Sequence, residues 1–160
     1  MDQNTEQGAA PVFAIEKIFV KDMSVEVPNA PAIFFEEGSP EISIQLGNSG
    51  HGLGNDLFEV VLTVTVTAKI EEKVVFLVEV GQGGIFRLAN IPDEQIEPII
   101  AIACPNLLFP YARQVVSDAV SHAGFPPVVL QPVNFEALYA AGLEQRAAQQ
   151  ASNEGAATLQ

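Results

Sequence analysis

The sequence predicts an α+β domain: a four-stranded antiparallel sheet with helices packed on one face. Three observations carry that prediction. Apolar residues recur at alternate positions through much of residues 12–80, the period of a strand. From Pro92 onward the spacing lengthens to that of a helix. The connections inside the first half are short and rich in turn residues, so successive strands pair as neighbours.

Each element follows from its residues. Residues 1–11 are polar and small and are expected to be disordered. Residues 12–148 form a single domain, the ordinary size for a chain of 160 residues. Val12–Val27 reads as one long strand, partly apolar on both faces, with a bulge near Lys21-Asp22. Both faces being apolar predicts more than one covering layer. Residues 28–40 hold three prolines and a glycine, which exclude regular structure. That segment nevertheless carries Ile33, Phe34 and Phe35, which either pack on the sheet or line a groove. Ile42, Ile44 and Leu46 share one face of a second strand over residues 41–46, and residues 48–56 read as a Gly- and Asn-rich turn.

Leu57–Ala68 is the clearest strand, and Val74–Val80 follows after a turn at Glu71-Glu72-Lys73. Strands two to four form a meander, and Gly81-Gln82-Gly83-Gly84 ends or bends the last. Pro92–Ala103 starts with Asp93 and Glu94, suited to a helix N-terminus. The junction Cys104–Arg113 holds two prolines and two aromatics and no catalytic group. From Pro110 the set Tyr111, Ala112, Val115, Val116, Ala119 and Val120 has helical spacing, and Gly124 with Pro126-Pro127 stops it. Asn134 caps a final helix to about Ala148, with Phe135, Leu138, Tyr139 and Leu143 on its apolar side. Residues 149–160 have few large side chains and are expected to be mobile.

Composition narrows function. The net charge is −13, from 20 acidic and 7 basic residues, which repels nucleic acid and anionic membrane surfaces. It suits a basic protein partner. A single cysteine, Cys104, forbids an internal disulfide and fits a reducing cytosol. The N-terminus lacks the basic and apolar runs of a secretory signal. There is no uninterrupted apolar stretch of about 18 residues, so no membrane span or direct membrane insertion is expected. The chain reads as cytoplasmic.

Catalytic chemistry is hard to find. His51 and His122 have no Cys or His at metal-ligand spacing, so ordinary exposed histidines and no metal site are expected. Cys104 lies among apolar residues with no neighbouring cation to activate it, and reads as a buried thiol. Gly81–Gly84 leads into extended residues rather than a helix, so it reads as a bulge and not a phosphate cradle. The chain is expected to be no enzyme and to use no cofactor.

Six ordered segments carry a resemblance to a known family. They are Val12–Asp22, Pro28–Pro31, Glu59–Ala68, Gly83–Phe86, Cys104–Arg113 and Pro132–Phe135. Together they resemble SecB, the cytosolic protein-export chaperones of Gram-negative bacteria, over residues 12–145. The resemblance implies a homotetramer, a dimer of dimers, with the long helices between the sheets. It implies ATP-independent binding of unfolded precursor proteins, which are kept translocation-competent and delivered to the motor ATPase SecA. It assigns client binding to Ile33, Phe34, Phe35, Ile42, Ile44, Leu46, Phe135, Leu138 and Leu143, and SecA binding to Asp22, Glu26, Leu77 and Glu79. The alternative is a carrier of small apolar ligands in the same groove.

Overall fold

Alternating β-branched residues favour a pleated backbone, and the computed structural model, which describes residues 8–157, contains four long strands. They are β1 (Val12–Glu26), β2 (Glu41–Gly54), β3 (Leu57–Ile70) and β4 (Lys73–Ala89). The helical half is α1 (Asp93–Pro98), a π segment (Ile99–Ala103), α2 (Cys104–His122) and α3 (Phe135–Ala157). The sheet is antiparallel in the order β1-β4-β3-β2. The β2–β3 turn is Asn55-Asp56, both at positive φ (54° and 62°), the geometry of a tight hairpin.

Burial alternates along β3 and along Phe76–Val80 of β4. Val60, Leu62, Val64 and Val66, with Val78, Val80 and Phe86, form the buried inner face. Cys104, Leu108, Ala112, Val116 and Val120 of α2 are buried with them. Gly84 lets the helix come close, since a Cβ there would stand 3.0 Å from Leu108 Cδ2. Gly83 does the same on the reverse face, where Phe19 lies across it.

A helix is roughly 10 Å wide and strands are spaced about 4.8 Å apart. One helix therefore covers about two strands, and α2 covers the central pair. The inner-face residues of both outer strands stay partly uncovered. On β1 these are Phe13, Ile15, Val20, Met23 and Val25; on β2 they are Ile42 and Ile44, all exposed.

Several expectations need correction. β2 does not end at Leu46; it runs through the predicted turn to Gly54, and His51 is paired with Glu59 in the ladder. Backbone pairing with β3 needs no side chains, so a Gly-rich stretch can still be a strand. β4 passes straight through Gly81–Gly84, and the irregularity lies opposite, on β1 between Val20 and Asp22, where a bulge was expected. Residues 32–35 form a short 3₁₀ turn inside the loop expected to lack regular structure. The Cys104–Arg113 junction is no junction, because Asp93–His122 is one continuous helical run.

The π segment widens the run just before Pro105, while Pro98 ends α1 and Pro110 lies within α2. The run is 30 residues long and contains an 18-residue stretch with a mean hydropathy of 1.3, long and apolar enough to cross a membrane by length and composition. A test for uninterrupted apolar runs misses it because polar residues interleave. Here one side of it packs on the sheet. Finally, α3 continues to Ala157 rather than ending near Ala148, since Ala, Gln and Glu favour helix. Residues 149–157 are thus helical. Residues 1–7 and 158–160, within the two termini expected to be disordered or mobile, lie outside the described residues.

Candidate functional site

The uncovered inner face of β2 is walled into a trough. At one end lies a cavity of about 660 Å³. Its walls are Ile33, Phe34 and Glu36 from the loop between β1 and β2, Ile42 from β2, Phe76 from β4, and Phe125 to Val129 from the α2–α3 connection. Gly124, at φ 95°, ends α2 in the left-handed conformation that glycine adopts without strain. A Cβ on Gly124 would also lie 3.2 Å from the Phe34 ring. Phe34 stacks on Phe125 at 5.1 Å between ring centres, and Phe125 meets Phe76 at 5.2 Å. The outer rim is held by Lys73, whose Nζ donates to Glu36 Oε1 at 2.6 Å. That hydrogen bond pushes the Lys73 ammonium above its ordinary range.

Farther along β2 is a second cavity of about 290 Å³. Leu46, Gly47 and Asn48 form one wall. Leu62 of β3, Ala101 of the π segment, and Phe135, Leu138, Tyr139, Gly142 and Arg146 of α3 form the rest. The Asn134 side chain caps α3 by accepting the Ala137 N–H at 3.0 Å. Phe135 is buried edge-on against Phe109, which anchors the first turn.

The predicted groove residues divide into three groups. Phe34, Ile42, Leu46 and Leu138 line the two cavities, and Ile44 lies between them on the same face of β2. Phe34, Ile44 and Leu138 are 48 %, 46 % and 51 % exposed, so the trough is open and its floor is not sealed core. Ile33 and Phe135 reach the cavities but are themselves buried, and act as supports. Phe35, 84 % exposed, and Leu143 line neither cavity. Sequence reasoning missed Phe125, Phe76, Val129, Asn48 and Arg146. Phe125 sits between a helix-stopping Gly and two prolines, the same signal that singled out Phe34.

Asp22, Glu26, Leu77 and Glu79 come together on the outer face. In the β1–β4 ladder Glu26 faces Leu77, Ser24 faces Glu79 and Asp22 faces Gly81. Three carboxylates and one leucine thus occupy three alternate rungs of a single face. Glu79 is exposed and accepts a hydrogen bond from Thr65 Oγ1 at 3.2 Å. Cys104 is fully buried, and burial pushes its thiol pKa up to about 12, far from any nucleophile.

An open apolar trough on one side of a sheet and an acidic face on the other define a protein built around binding surfaces. The family model described as preprotein translocase subunit SecB matches residues 6–146, and the chain belongs to the SecB family. It is 65 % identical over 142 residues to the protein-export protein SecB of Dechloromonas aromatica, covering 89 % of this chain and 93 % of that one. It is 58 % identical to the protein-export protein SecB of Chromobacterium violaceum, covering 90 % and 94 %. It is 52 % identical to that of Methylobacillus flagellatus, covering 98 % of both. Among solved structures, a SecB-like chaperone from Mycobacterium tuberculosis, in complex with a ChAD peptide from an antitoxin, superposes with a TM-score of 0.63. That match covers 76 % of this chain and 90 % of the other at 16 % identity, and shows the shared fold.

Proposed function

We propose that this protein is an ATP-independent, non-enzymatic chaperone that binds unfolded precursor proteins in the cytosol and hands them to SecA for export. The observation that carries the reading is the open trough along β2, where Phe34, Ile44 and Leu138 remain about half exposed. A non-native chain exposes apolar side chains, and burying them is worth roughly 25 cal/mol per Å². A surface that selects for apolar character rather than for a motif accepts many clients. The free edge of β2 adds unpaired backbone groups beside that surface, suited to an extended segment.

The apolar strip on β1 has a different use. It meets exposed Tyr111 of α2 across a shallow cavity of about 330 Å³ beside Ile18 and Val20, an apolar surface that suits contact with a second copy. This supports the homotetramer, a dimer of dimers, in which several troughs bind one long client with avidity. The acidic rungs at Asp22, Glu26 and Glu79 form the SecA contact, where complementary charge steers a basic partner.

A carrier of small apolar ligands needs an enclosed cavity, whereas this trough is open along a strand. Mass spectrometry of lipid extracted from the purified protein separates the two. The direct test is suppression of aggregation of a slowly refolding client without nucleotide. Suppression at a stoichiometric ratio is expected, and continued aggregation at that ratio contradicts the proposal.

A further inference from the structure

The second cavity lies beneath α3, which packs beside the π segment and carries a side-chain anchor at each end of that stretch. At its start Phe135 is buried against Phe109. Eleven residues later, roughly 16 Å along the helix, Arg146 reaches α1. Its Nη1 and Nη2 both donate to Glu97 Oε1, each at 3.2 Å. Between these points Leu138, Tyr139 and Gly142 form the roof of the cavity. They do not close onto the floor, since Leu138 stays half exposed.

The two anchors differ in kind. Phe135 is held by apolar burial, which salt does not weaken. The Glu97 and Arg146 side chains are 62 % and 58 % exposed, so their attraction is modest and screened by salt. A helix anchored firmly at one end and lightly at the other opens from the light end.

We propose that the Glu97–Arg146 ion pair is a latch that holds α3 over the second cavity, and that ionic strength sets how often that half of the trough admits a client. Glu97 and Arg146 are positioning residues here. The proposal rests on the chaperone reading above and adds to it how access to the trough is regulated.

The test uses the full-length protein and the variants Glu97→Gln, Arg146→Gln and Glu97→Arg/Arg146→Glu. Hydrogen exchange of the α3 amides is measured without any client, at low salt and at about 0.5 M salt, where the Debye length is only a few ångströms. Capture of a capped, uncharged apolar peptide bearing a neutral fluorophore is then timed by stopped flow. Both single variants are expected to exchange and to capture about two- to five-fold faster at low salt, the range an exposed ion pair can shift an equilibrium. Salt should bring the unmodified protein to the same rates, and the reversed pair should restore the slow ones.

A direct charge effect moves the two single variants in opposite directions, because one loses an anion and the other a cation. That outcome overturns the latch, as does unchanged exchange in both. Faster exchange with unchanged capture overturns the gating role. Failure of every variant to capture the peptide contradicts the chaperone reading instead, and the exchange data still decide whether the pair holds the helix.

Discussion

Asn48 Nδ2 donates to the carbonyl oxygen of Ile100 at 3.0 Å, joining β2 to the π segment. Within that segment the Cys104 N–H bonds to Ile99 O, five residues back. The next bond in that register would run from residue 105 to Ile100 O, but residue 105 is proline and has no N–H. The Asn48 amide satisfies the orphaned carbonyl. Gly50 completes the fit, because a Cβ there would stand 2.4 Å from Ile100 Cγ2. Asn48→Ala should therefore cost about 1 kcal/mol of stability, and Gly50→Ala about 1–3 kcal/mol, both read by urea unfolding. Gly50→Ala should cost much less when Ile100 is also shortened to Ala, a non-additivity expected of residues in contact.

Cys104 gives a pH prediction. Its thiol pKa is near 12 when folded and about 8.5 in an unfolded chain. Between those values the native state keeps a proton that the unfolded state has lost. Stability from this group is full below about pH 8.5 and falls as pH rises toward 12. Alkylation by iodoacetamide at about pH 8 should be slow in the native protein and fast in urea, with the rate following unfolding. Rapid native alkylation contradicts the buried assignment.

The outer face predicts a separation of sites. Glu79 lies on the reverse side of the sheet from the trough. Glu79→Lys should weaken SecA binding by about tenfold or more and leave client affinity unchanged. Titration calorimetry with each partner checks this, and a parallel loss of both contradicts it.

The β1 strip predicts the assembly. Met23 and Val25 are exposed apolar residues opposite Val80 and Val78, and replacing both with Lys puts charge into the proposed subunit contact. Light scattering should show a smaller particle than that of the unmodified protein, for which the proposal expects a tetramer. An unchanged mass places the contact elsewhere.

Most of this fold is legible in the sequence because side-chain alternation and burial coincide in β3 and in part of β4, where Val60–Val66 and Phe76–Val80 leave little choice. It is less legible wherever backbone, rather than side chains, decides. The second half of β2 carries Gly47, Gly50, Gly52 and Gly54, so it shows no pattern although its ladder is complete nearly to the hairpin. The sequence reads as two helices, one to Ala103 and one from Pro110, yet a single helical run joins them by widening just before Pro105 and borrowing Asn48. The trough is legible in part for the same reason. Phe34, Ile42, Ile44 and Leu138 advertise themselves as apolar residues with regular spacing or in a loop. Asn48 and Arg146 do not, since a lone polar residue gains its role only from what the fold places beside it.

The most direct test of the central claim places a photo-activated cross-linker, one site at a time, at Ile44, Leu138 and Thr65. The first two sit in the trough, and Thr65 lies beside Glu79 on the outer face. A permanently unfolded client should cross-link through Ile44 and Leu138 and not through Thr65, and the folded client through none of them. Cross-linking from Thr65 equal to that from the trough, or none from Ile44 and Leu138, contradicts the account.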